Sequence, residues 1–356
     1  MKKFNFYSGP AVLPEPVLQQ AAQAVRELDG LGLSLIEISH RSKEFTAIVE
    51  ESVALVRALT GLGEPYRILW LQGGATMQFL QVPYNLLNRN ATAAYLETGA
   101  WSRKAIKEAR LFGQVHVVAS SADRNFTYVP KNYTIPNDAA YFHITTNETI
   151  HGVQLHQIPD SPVPLIADMS SDIFSRPLQW NKFSLIYAGA QKNIGPSGAT
   201  LVIVNEELLG RTDHPIPTMM DYRNHIKDNS LLNTPSTFAI YVCMLTLRWI
   251  QQQGGLAVME ERNRRKAQLL YAALDQSDLY RPVVDPADRS WMNVCWVLTR
   301  PELEEALVRF AAENGCVGIK GHRSVGGFRA SLYNAMTEEG VRHLIDVLQH
   351  FERYHA

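Results

Sequence analysis

The sequence has little cysteine, no surplus of either charge and no long apolar run, and each absence excludes a class of protein. Its three cysteines, Cys243, Cys295 and Cys316, are odd in number and widely spaced, a pattern that suits a reducing compartment better than disulfides or a metal site. The 34 basic residues stand against 35 acidic ones, a net charge of −1 that argues against a nucleic-acid or anionic-membrane surface. No apolar run could span a bilayer, and Gly9 and Pro10 interrupt the start too early for a signal peptide. We therefore expect a cytoplasmic protein with no nucleic-acid or membrane partner.

Several short motifs of catalytic chemistry are also missing. The sequence contains no HExxH zinc-protease motif, no GxxxxGK[ST] phosphate loop, no GxSxG nucleophile elbow and no GxGxxG dinucleotide fingerprint. We expect no metal site. With 356 residues, 46% of them hydrophobic, the chain is long enough to bury a large core in one or two domains. Any anion-binding site must therefore be a local cluster in a nearly neutral protein.

Helical and strand-like patterns alternate through the first two thirds of the chain. Residues 44–60 carry apolar side chains at helical spacing and end at Gly61. Residues 164–167, 185–188 and 200–204 are short and apolar on both faces, as strands covered on both sides of a sheet are. This alternation predicts an α/β fold with a mainly parallel sheet flanked by helices.

The pattern changes after about residue 255, which predicts a second domain. A long helical stretch at 256–274 leads to a strand-like run at 292–298, a succession typical of a smaller α+β C-terminal domain. We expect a large domain at residues 16–255 and a small domain at 256–356. The N-terminal segment, residues 1–15, is expected to pack across both.

Lys192 is the most informative single residue. It follows an apolar run that ends at Tyr187, small residues precede it, and Gly-Pro-Ser-Gly closes the segment at 195–198, so turn residues hold the side chain in place. Burial beside small residues lowers the pKa of a lysine and frees its lone pair, which Schiff-base chemistry requires. The alternative is an ordinary surface lysine in a turn.

Asp168 ends the apolar run that precedes the Lys192 strand. Neighbouring parallel strands end side by side at the edge where open α/β sheets bind ligands. A carboxylate there can pair with a protonated pyridine nitrogen while a nearby lysine forms an imine, the two requirements of pyridoxal phosphate (PLP). Asp168 could instead be a helix cap before Ser170 and Ser171.

A glycine-rich turn and a tryptophan are weaker candidates for the same site. Residues 72–76, which include Ala75 and Thr76, lie between a strand and a helix, and backbone N–H groups at a helix start suit a phosphate. A plain strand–helix turn is the commoner explanation for such a loop. Trp101 could stack on a flat cofactor ring, whereas burial in the core is the default for a tryptophan.

Two His-Arg pairs stand apart from the neutral background: His40-Arg41 and His322-Arg323, with Arg329 a few residues after the second. Arginine holds a carboxylate or phosphate by paired hydrogen bonds, and histidine adds a donor that charges readily beside an anion. Any one of these arginines alone would be interpreted as a solvated surface residue. Together they predict an anion site.

Taken together, these segments resemble the phosphoserine aminotransferase family, in the class V branch of the PLP-dependent enzymes of fold type I. The matching segments occur in the family's order at residues 5–10 (NFYSGP), 38–45 (ISHRSKEF), 71–75 (LQGGA), 147–150 (NETI), 167–171 (ADMSS), 187–196 (YAGAQKNIGP), 233–236 (NTPS) and 321–331 (GHRSVGGFRAS). Some members have Gly-Arg where this chain has Ala75-Thr76, so this chain has one fewer positive charge there.

The resemblance implies a role for each matching residue. Lys192 would carry the cofactor and move the substrate's Cα proton, and Asp168 would hold the pyridine nitrogen protonated. The other cofactor-binding residues would be Trp101, stacked on the ring, Thr149, bonded to its phenolic oxygen, Ala75, Thr76 and Gln191, on the phosphate, and Asn233 and Thr234, reaching over from a second subunit. The substrate-binding residues would be Ser8, His40, Arg41, His322 and Arg323, and Arg329, the last on the α-carboxylate.

The implied reaction converts 3-phosphohydroxypyruvate and glutamate into phosphoserine and 2-oxoglutarate, a step of serine biosynthesis, in a homodimer with shared sites. Transamination of the 4-phosphohydroxythreonine precursor of pyridoxine is a further expectation. A PLP lyase of the cysteine desulfurase kind is the alternative enzyme, but it needs a nucleophilic cysteine on a mobile loop. A binding scaffold without activity would be expected to lose Lys192 or Asp168, and both are present.

Overall fold

The structure is a computed structural model that describes residues 3–355 of the chain. Residues 1, 2 and 356, which belong to the predicted N-terminal segment and small domain, lie outside the described part. The helices are α1 (Glu15–Arg26), α2 (Lys43–Thr60), α3 (Gly74–Leu86), α4 (Ala100–Ala109), α5 (Tyr222–Lys227), α6 (Thr237–Gln252), α7 (Gly255–Asp275), α8 (Glu304–Glu313) and α9 (Glu338–His355). The strands are β1 (Phe4–Asn5), β2 (Tyr66–Leu71), β3 (Thr92–Glu97), β4 (Gln114–Ser120), β5 (Phe142–Thr145), β6 (Asn147–Glu148), β7 (Val153–Gln154), β8 (Leu165–Asp168), β9 (Leu185–Gly189), β10 (Thr200–Asn205), β11 (Tyr280–Pro282), β12 (Asn293–Leu298), β13 (Cys316–Val317) and β14 (Phe328–Ser331).

A seven-stranded sheet in the order β2-β10-β9-β8-β5-β3-β4 forms the centre of the fold. Strands β9, β8, β5, β3 and β4 are parallel, whereas β10 runs antiparallel to both of its neighbours. The predicted α/β fold with a mainly parallel sheet is therefore confirmed, with β10 as the exception. Every residue of β8 and β9 is buried, as expected for strands covered on both faces.

Helices cover both faces of this sheet. On one face, α1, α2 and α6 contribute side chains such as Val17, Phe45 and Ile240 to a continuous apolar core. On the other face, Phe79 from α3 and Ile106 from α4 pack in a second layer. The layers cover the sheet's faces and leave the carboxyl ends of its parallel strands as the edge where a ligand can bind.

A smaller antiparallel sheet, β11-β12-β14, packs with α7, α8 and α9 around a core of its own. Phe6 is buried in this core, and β1 pairs in parallel with β13. Helix α7 contributes Met259 to the first core and Leu270 to this one. The domain division at residue 255 stays a prediction. No helix among residues 3–355 has the combined length and apolarity that a membrane crossing requires.

Candidate active site

The carboxyl ends of β8 and β9 bring together the two residues that the sequence singled out. Asp168 is the last residue of β8, and it lies opposite Tyr187 in the parallel β8–β9 ladder. Lys192 lies in the turn that follows β9, where Ala190 N–H donates to the Ala199 carbonyl at 3.0 Å and anchors the turn to β10. The lysine and the carboxylate therefore share one edge of the sheet.

Burial lowers the pKa of Lys192 to about 8. Asp168 opposes this shift by favouring the ammonium form, while the Arg329 guanidinium lowers the pKa further. The amine lies 5.3 Å from the centroid of the Trp101 ring. Its stem packs against the N-terminal segment, since a Cβ added at Gly9 would lie 3.3 Å from Lys192 Cγ. Because its pKa lies near neutrality, Lys192 is available as a nucleophilic amine.

A second buried lysine shows why burial alone does not make a reactive amine. Burial lowers the pKa of Lys266 to about 7, yet its Nζ donates to the carbonyl oxygens of Leu332, Tyr333 and Met336 at 2.7–3.0 Å. All three ammonium donors are thus used in holding the chain after β14. Lys266 therefore has a structural role, and Lys192 is the candidate for covalent chemistry.

Asp168 is buried and serves two purposes in the structure. Its Oδ1 accepts a hydrogen bond from Ser170 N–H at 2.9 Å, but residues 170–174 form a turn, so Asp168 caps a turn and not the helix that the alternative interpretation expected. Burial raises the pKa of Asp168, and the bonds from Ser170 and the charge of Lys192 act in the opposite direction. A buried carboxylate beside the amine is the group that a protonated ring nitrogen requires as a partner.

Trp101 and Thr149 form one unit beside the lysine. Trp101 is the second residue of α4, and its indole Nε1–H donates to Thr149 Oγ1 at 2.7 Å. Lys104, one helical turn further along α4, has its ammonium 4.3 Å from the centre of the Trp101 ring. The indole is half-buried, so one part of the ring remains available to a flat ligand.

Arg329 projects from β14 toward the same place. Its Nη1 donates to the Thr149 carbonyl at 3.1 Å and its Nη2 to Ser8 Oγ at 2.8 Å. Tyr333 OH donates to the Ser8 carbonyl at 2.7 Å and so fixes the N-terminal segment. Within the part of the chain that the structure describes, no carboxylate pairs with Arg329. Its guanidinium is therefore held in place yet still able to bind an anion.

The glycine-rich turn lies at the start of α3. Gly73, with a φ of 87°, precedes the helix, and Ala75 and Thr76 lie in its first turn, which contains no acidic side chain. Free N–H groups at a helix start without a competing carboxylate suit a phosphate. Close by, Asn233 Nδ2 donates to Gln72 Oε1 at 2.7 Å, and Asn233 Oδ1 is buried and has no hydrogen-bond partner among residues 3–355.

Two further residues that the resemblance assigned to the phosphate differ in their exposure. Gln191 is half-buried and folds back over Gly189, where an added Cβ would lie 2.6 Å from Gln191 Oε1. Thr234 is exposed. Its exposure leaves it free to contact another molecule.

His322 and Arg323 lie in the turn between β13 and β14. Burial lowers the pKa of His322, and the charges of Arg329, Arg323 and Lys104 lower it further, so this histidine lies within a basic cluster. Its Nδ1 is 2.7 Å from Ser324 Oγ. Arg323 is exposed. The structure thus brings one of the two predicted His-Arg pairs near Arg329.

The other pair, His40 and Arg41, is not joined to this cluster within one chain. Arg41 is exposed, and its backbone N–H donates to Ser39 Oγ. His40 Nε2 is buried without a partner. Among residues 3–355, no hydrogen bond or ion pair links either residue to Lys192 or Arg329.

Sequence reasoning missed Glu148 and Tyr333. Glu148 is completely buried and accepts hydrogen bonds from the N–H groups of Trp101 and Ser102. It lies inside the matching segment at residues 147–150, but nothing in that segment indicates its contacts with Trp101 and Ser102. Tyr333 follows the Arg329 strand, and an apolar-looking strand end gives no sign of the hydrogen bond to Ser8.

Comparison with known proteins agrees with this geometry. A profile of the family described as Aminotransferase class-V matches residues 3–344. The chain is 52% identical to the phosphoserine aminotransferase of Phocaeicola vulgatus over 358 residues, which cover 100% of each chain. The solved phosphoserine aminotransferase of Bacillus circulans subsp. alkalophilus superposes with a TM-score of 0.97 at 46% identity, covering 100% of this chain and 99% of the other. A PLP-bound phosphoserine aminotransferase from Trichomonas vaginalis gives a TM-score of 0.94 at 38% identity, covering 98% and 100%.

The fold and the site define a pyridoxal-phosphate-dependent aminotransferase. Its residues fit the cofactor, because a poised amine, a buried carboxylate, an indole face and an unpaired guanidinium converge at one sheet edge. The chain belongs to the class V aminotransferases and, among them, to the phosphoserine aminotransferase group. The idea of a binding scaffold without activity is therefore wrong.

The cysteines also argue against a desulfurase. Cys243, Cys295 and Cys316 are all buried, and burial raises the pKa of Cys295 and of Cys316 to about 12. A catalytic cysteine requires an accessible thiol that ionises near neutral pH. None of the three meets that requirement.

Proposed function

We propose that this enzyme converts 3-phosphohydroxypyruvate and glutamate reversibly into phosphoserine and 2-oxoglutarate, in the cytoplasm, as a step of serine biosynthesis. The observation that carries the proposal is the placement of an unpaired Arg329 and the basic His322-Arg323 turn beside Lys192. One arginine suits the carboxylate that every amino acid donor carries, and the basic turn suits a second anion further away. The name shared by the full-length relatives supports the same substrate. Transamination of 4-phosphohydroxythreonine, for pyridoxine synthesis, is included in the proposal.

The protein's residues would divide the work at the cofactor. When bound, PLP supplies an electron sink for the bond broken at the substrate's Cα. Lys192 would attach the cofactor and then move the Cα proton through Nζ, which suits an amine with a pKa of about 8. Asp168 would keep the ring nitrogen protonated. Trp101 would stack on the ring and Thr149 would bond its phenolic oxygen.

The phosphate would be held at the start of α3. Ala75 and Thr76 supply N–H groups and a hydroxyl from the first helical turn, and Gln191 adds an amide. Asn233 and Thr234 of a second copy would complete this site. The exposure of Thr234 and the unpaired buried oxygen of Asn233 support a contact that one chain does not satisfy.

The substrate would be held from both ends. Arg329, oriented by Ser8 and the Thr149 carbonyl, binds the α-carboxylate. His322 and Arg323, with His40 and Arg41, bind the distal phosphate of phosphoserine or the distal carboxylate of glutamate. Because the two distal anions lie at different distances from Cα, flexible basic side chains suit alternate half-reactions better than a rigid pocket.

The active unit in this proposal is a homodimer. The segment before His40 exposes Leu31, Leu33 and Ile36, whose exposed fractions are 38%, 50% and 59%. Three large apolar side chains exposed so close together in the chain favour burial against another surface. A second copy is the occupant we propose; it would also offer contacts to His40 and Arg41, which no hydrogen bond or ion pair among residues 3–355 links to Lys192 or Arg329.

Hybrid dimers test the shared site. Lys192→Ala and Thr234→Asp chains should each be inactive alone. After mixing and exchange, half of the dimers would be hybrids that keep one intact site, so about a quarter of the wild-type activity should return. A fully active monomer at high dilution, or no recovery in a preparation that contains hybrids, would contradict the shared site.

The substrate proposal is tested by following amino transfer to 2-oxoglutarate. Phosphoserine should be the best donor, 4-phosphohydroxythreonine should also react, and alanine, which has no distal anion, should react poorly. Measuring glutamate formation separates these donors. If alanine reacted as fast as phosphoserine, the assignment of the basic turn to a distal anion would fail.

A further inference from the structure

Helix α4, which carries Trp101, is capped by a carboxylate from another part of the chain. The helix begins after Gly99, which has no side chain to accept its first N–H groups. Glu148, from β6, supplies the acceptors: its Oε2 accepts from Trp101 N–H at 3.0 Å and its Oε1 from Ser102 N–H at 2.8 Å. These are two of the N–H groups that a helix start leaves without partners.

The fit between this carboxylate and the helix start is close. Glu148 is completely buried, and a Cβ added at Gly99 would lie 2.4 Å from Glu148 Cδ. The helix start and the side chain therefore leave no room for a residue larger than glycine at position 99. A carboxylate could not move here without moving the first turn of α4.

Thr149, the residue after Glu148, holds the indole end of the Trp101 side chain. Thr149 Oγ1 accepts from the indole Nε1–H at 2.7 Å, so two consecutive residues bond the main chain and the ring of Trp101. Two anchors separated by the length of the side chain restrict both its position and its rotation. The Thr149 carbonyl also accepts from Arg329, so the same short segment contacts two residues of the proposed site.

Helix capping by itself does not require a buried charge. A serine or asparagine at the helix start would satisfy the same N–H groups at the surface of the turn. Burial of Glu148 is unfavourable to its charge and raises its pKa to about 7, although the two backbone bonds act in the opposite direction. Among the charged groups that face it, Asp168 raises this pKa, and the Lys192 ammonium interacts favourably with the carboxylate.

We propose that Glu148 is a positioning residue that orients the Trp101 indole for the cofactor, through the first turn of α4. The inference rests on the proposed stacking role of Trp101. The carboxylate form accepts from both N–H groups with its full charge, whereas a protonated carboxyl group is a weaker acceptor. As the pH falls through about 7, Glu148 takes up a proton, the two bonds weaken, and the indole becomes less restricted.

The test uses the cofactor-free protein and the variant Glu148→Gln, which keeps the shape of the side chain and removes its charge. The fluorescence of Trp101, obtained as the difference between each protein and its Trp101→Phe counterpart, is followed from pH 5 to pH 9. The wild-type difference should change with a midpoint near pH 7, and the Glu148→Gln difference should show no step near pH 7. A step near pH 8, where Lys192 titrates beside the ring, is expected in both proteins. Equilibrium dialysis should give a PLP affinity about tenfold weaker for Glu148→Gln at pH 8.

Asp288→Asn is the matched control. Asp288 is also a buried carboxylate that accepts a backbone N–H, from Val129 at 2.9 Å, but it lies outside the site. The Asp288→Asn protein should keep the step near pH 7 in the Trp101 fluorescence and the wild-type PLP affinity. An equal loss in both variants would overturn the proposal, because removal of any buried carboxylate would then explain it.

Two other results would also overturn it. One is a Glu148→Gln protein with an unchanged pH step and PLP affinity. The other is a wild-type Trp101 fluorescence signal without a step near pH 7. This result can be obtained even if Glu148→Gln does not fold. None of these measurements uses an amino acid substrate, so a failure of the phosphoserine assignment would be seen separately.

Discussion

Replacement of Arg329 gives the sharpest division between the two ends of the substrate. In the structure, the guanidinium is fixed by the Thr149 carbonyl and by Ser8 Oγ, and among residues 3–355 it has no acidic partner. We expect Arg329→Ala to impair every amino acid donor, because all of them carry an α-carboxylate. Arg323→Ala should impair only the donors with a distal anion.

The size of the effect follows from the geometry of the fork. A carboxylate can accept two parallel charge-assisted bonds from a guanidinium, and each such bond contributes about 1.5–3 kcal/mol. Loss of both bonds should weaken the affinity for the substrate by roughly 10²- to 10⁴-fold. Arg329→Lys keeps the charge but not the fork, so its loss should be roughly 10- to 100-fold.

Single-turnover absorbance changes of the bound cofactor, measured with phosphoserine, glutamate and alanine, give the affinity for each donor. Arg281→Lys, an exposed arginine on β11, is the control and should match the wild-type protein. The reasoning would be refuted if Arg329→Ala and Arg323→Ala reduced the affinities for phosphoserine and for alanine by the same factor.

Three further predictions concern the lysine, the carboxylate and the core. The rate at which PLP attaches to the cofactor-free protein should rise with pH and level off above about pH 8, because Lys192 is the nucleophile only after its ammonium has lost a proton. Stopped-flow absorbance measures this rate. A midpoint near pH 10.5, the ordinary pKa of a lysine, would contradict the prediction. Asp168→Asn should slow the single-turnover reaction by about 10²- to 10³-fold with PLP still bound, and an unchanged rate would refute the role of Asp168. Ser52→Ala leaves the buried Trp70 Nε1–H, which donates to Ser52 Oγ at 2.7 Å, without a partner; urea unfolding should show a loss of about 1–3 kcal/mol, and unchanged stability would show that another acceptor replaces the serine.

The sequence predicted the order of helices and strands better than their directions. The alternation of helical and strand-like hydrophobic patterns was enough to predict a sheet flanked by helices. The sequence of a short apolar strand does not indicate its direction, so the antiparallel orientation of β10 was not predicted. Helix α6 was not identified because ten of its residues are buried and a helix that is apolar nearly all round lacks the stripe that marks an amphipathic one. Strand β5 was not identified because two of its four buried residues, His143 and Thr145, are polar and interrupt the apolar run.

The sequence predicted those site residues whose side chains can bind the cofactor or react with it directly. Lys192 and Asp168 were predicted because they follow neighbouring apolar runs and match the family's motifs, and the structure places them at one edge of the sheet. Glu148 could not be predicted, because its role depends on contacts with Trp101 and Ser102 on a helix that precedes it by more than 40 residues. His40 and Arg41 remain predictions, since no hydrogen bond or ion pair among residues 3–355 links them to Lys192 or Arg329.

Borohydride reduction of the PLP-bound protein, followed by peptide mapping, tests the central claim most directly. The claim is that the site is built around Lys192, the half-buried lysine whose amine has a pKa of about 8 and lies over Trp101. The reduced cofactor should be found on the peptide that contains Lys192, and Lys192→Ala should fold and bear no reducible link. A cofactor found on Lys104 or Lys266 instead would contradict the assignment.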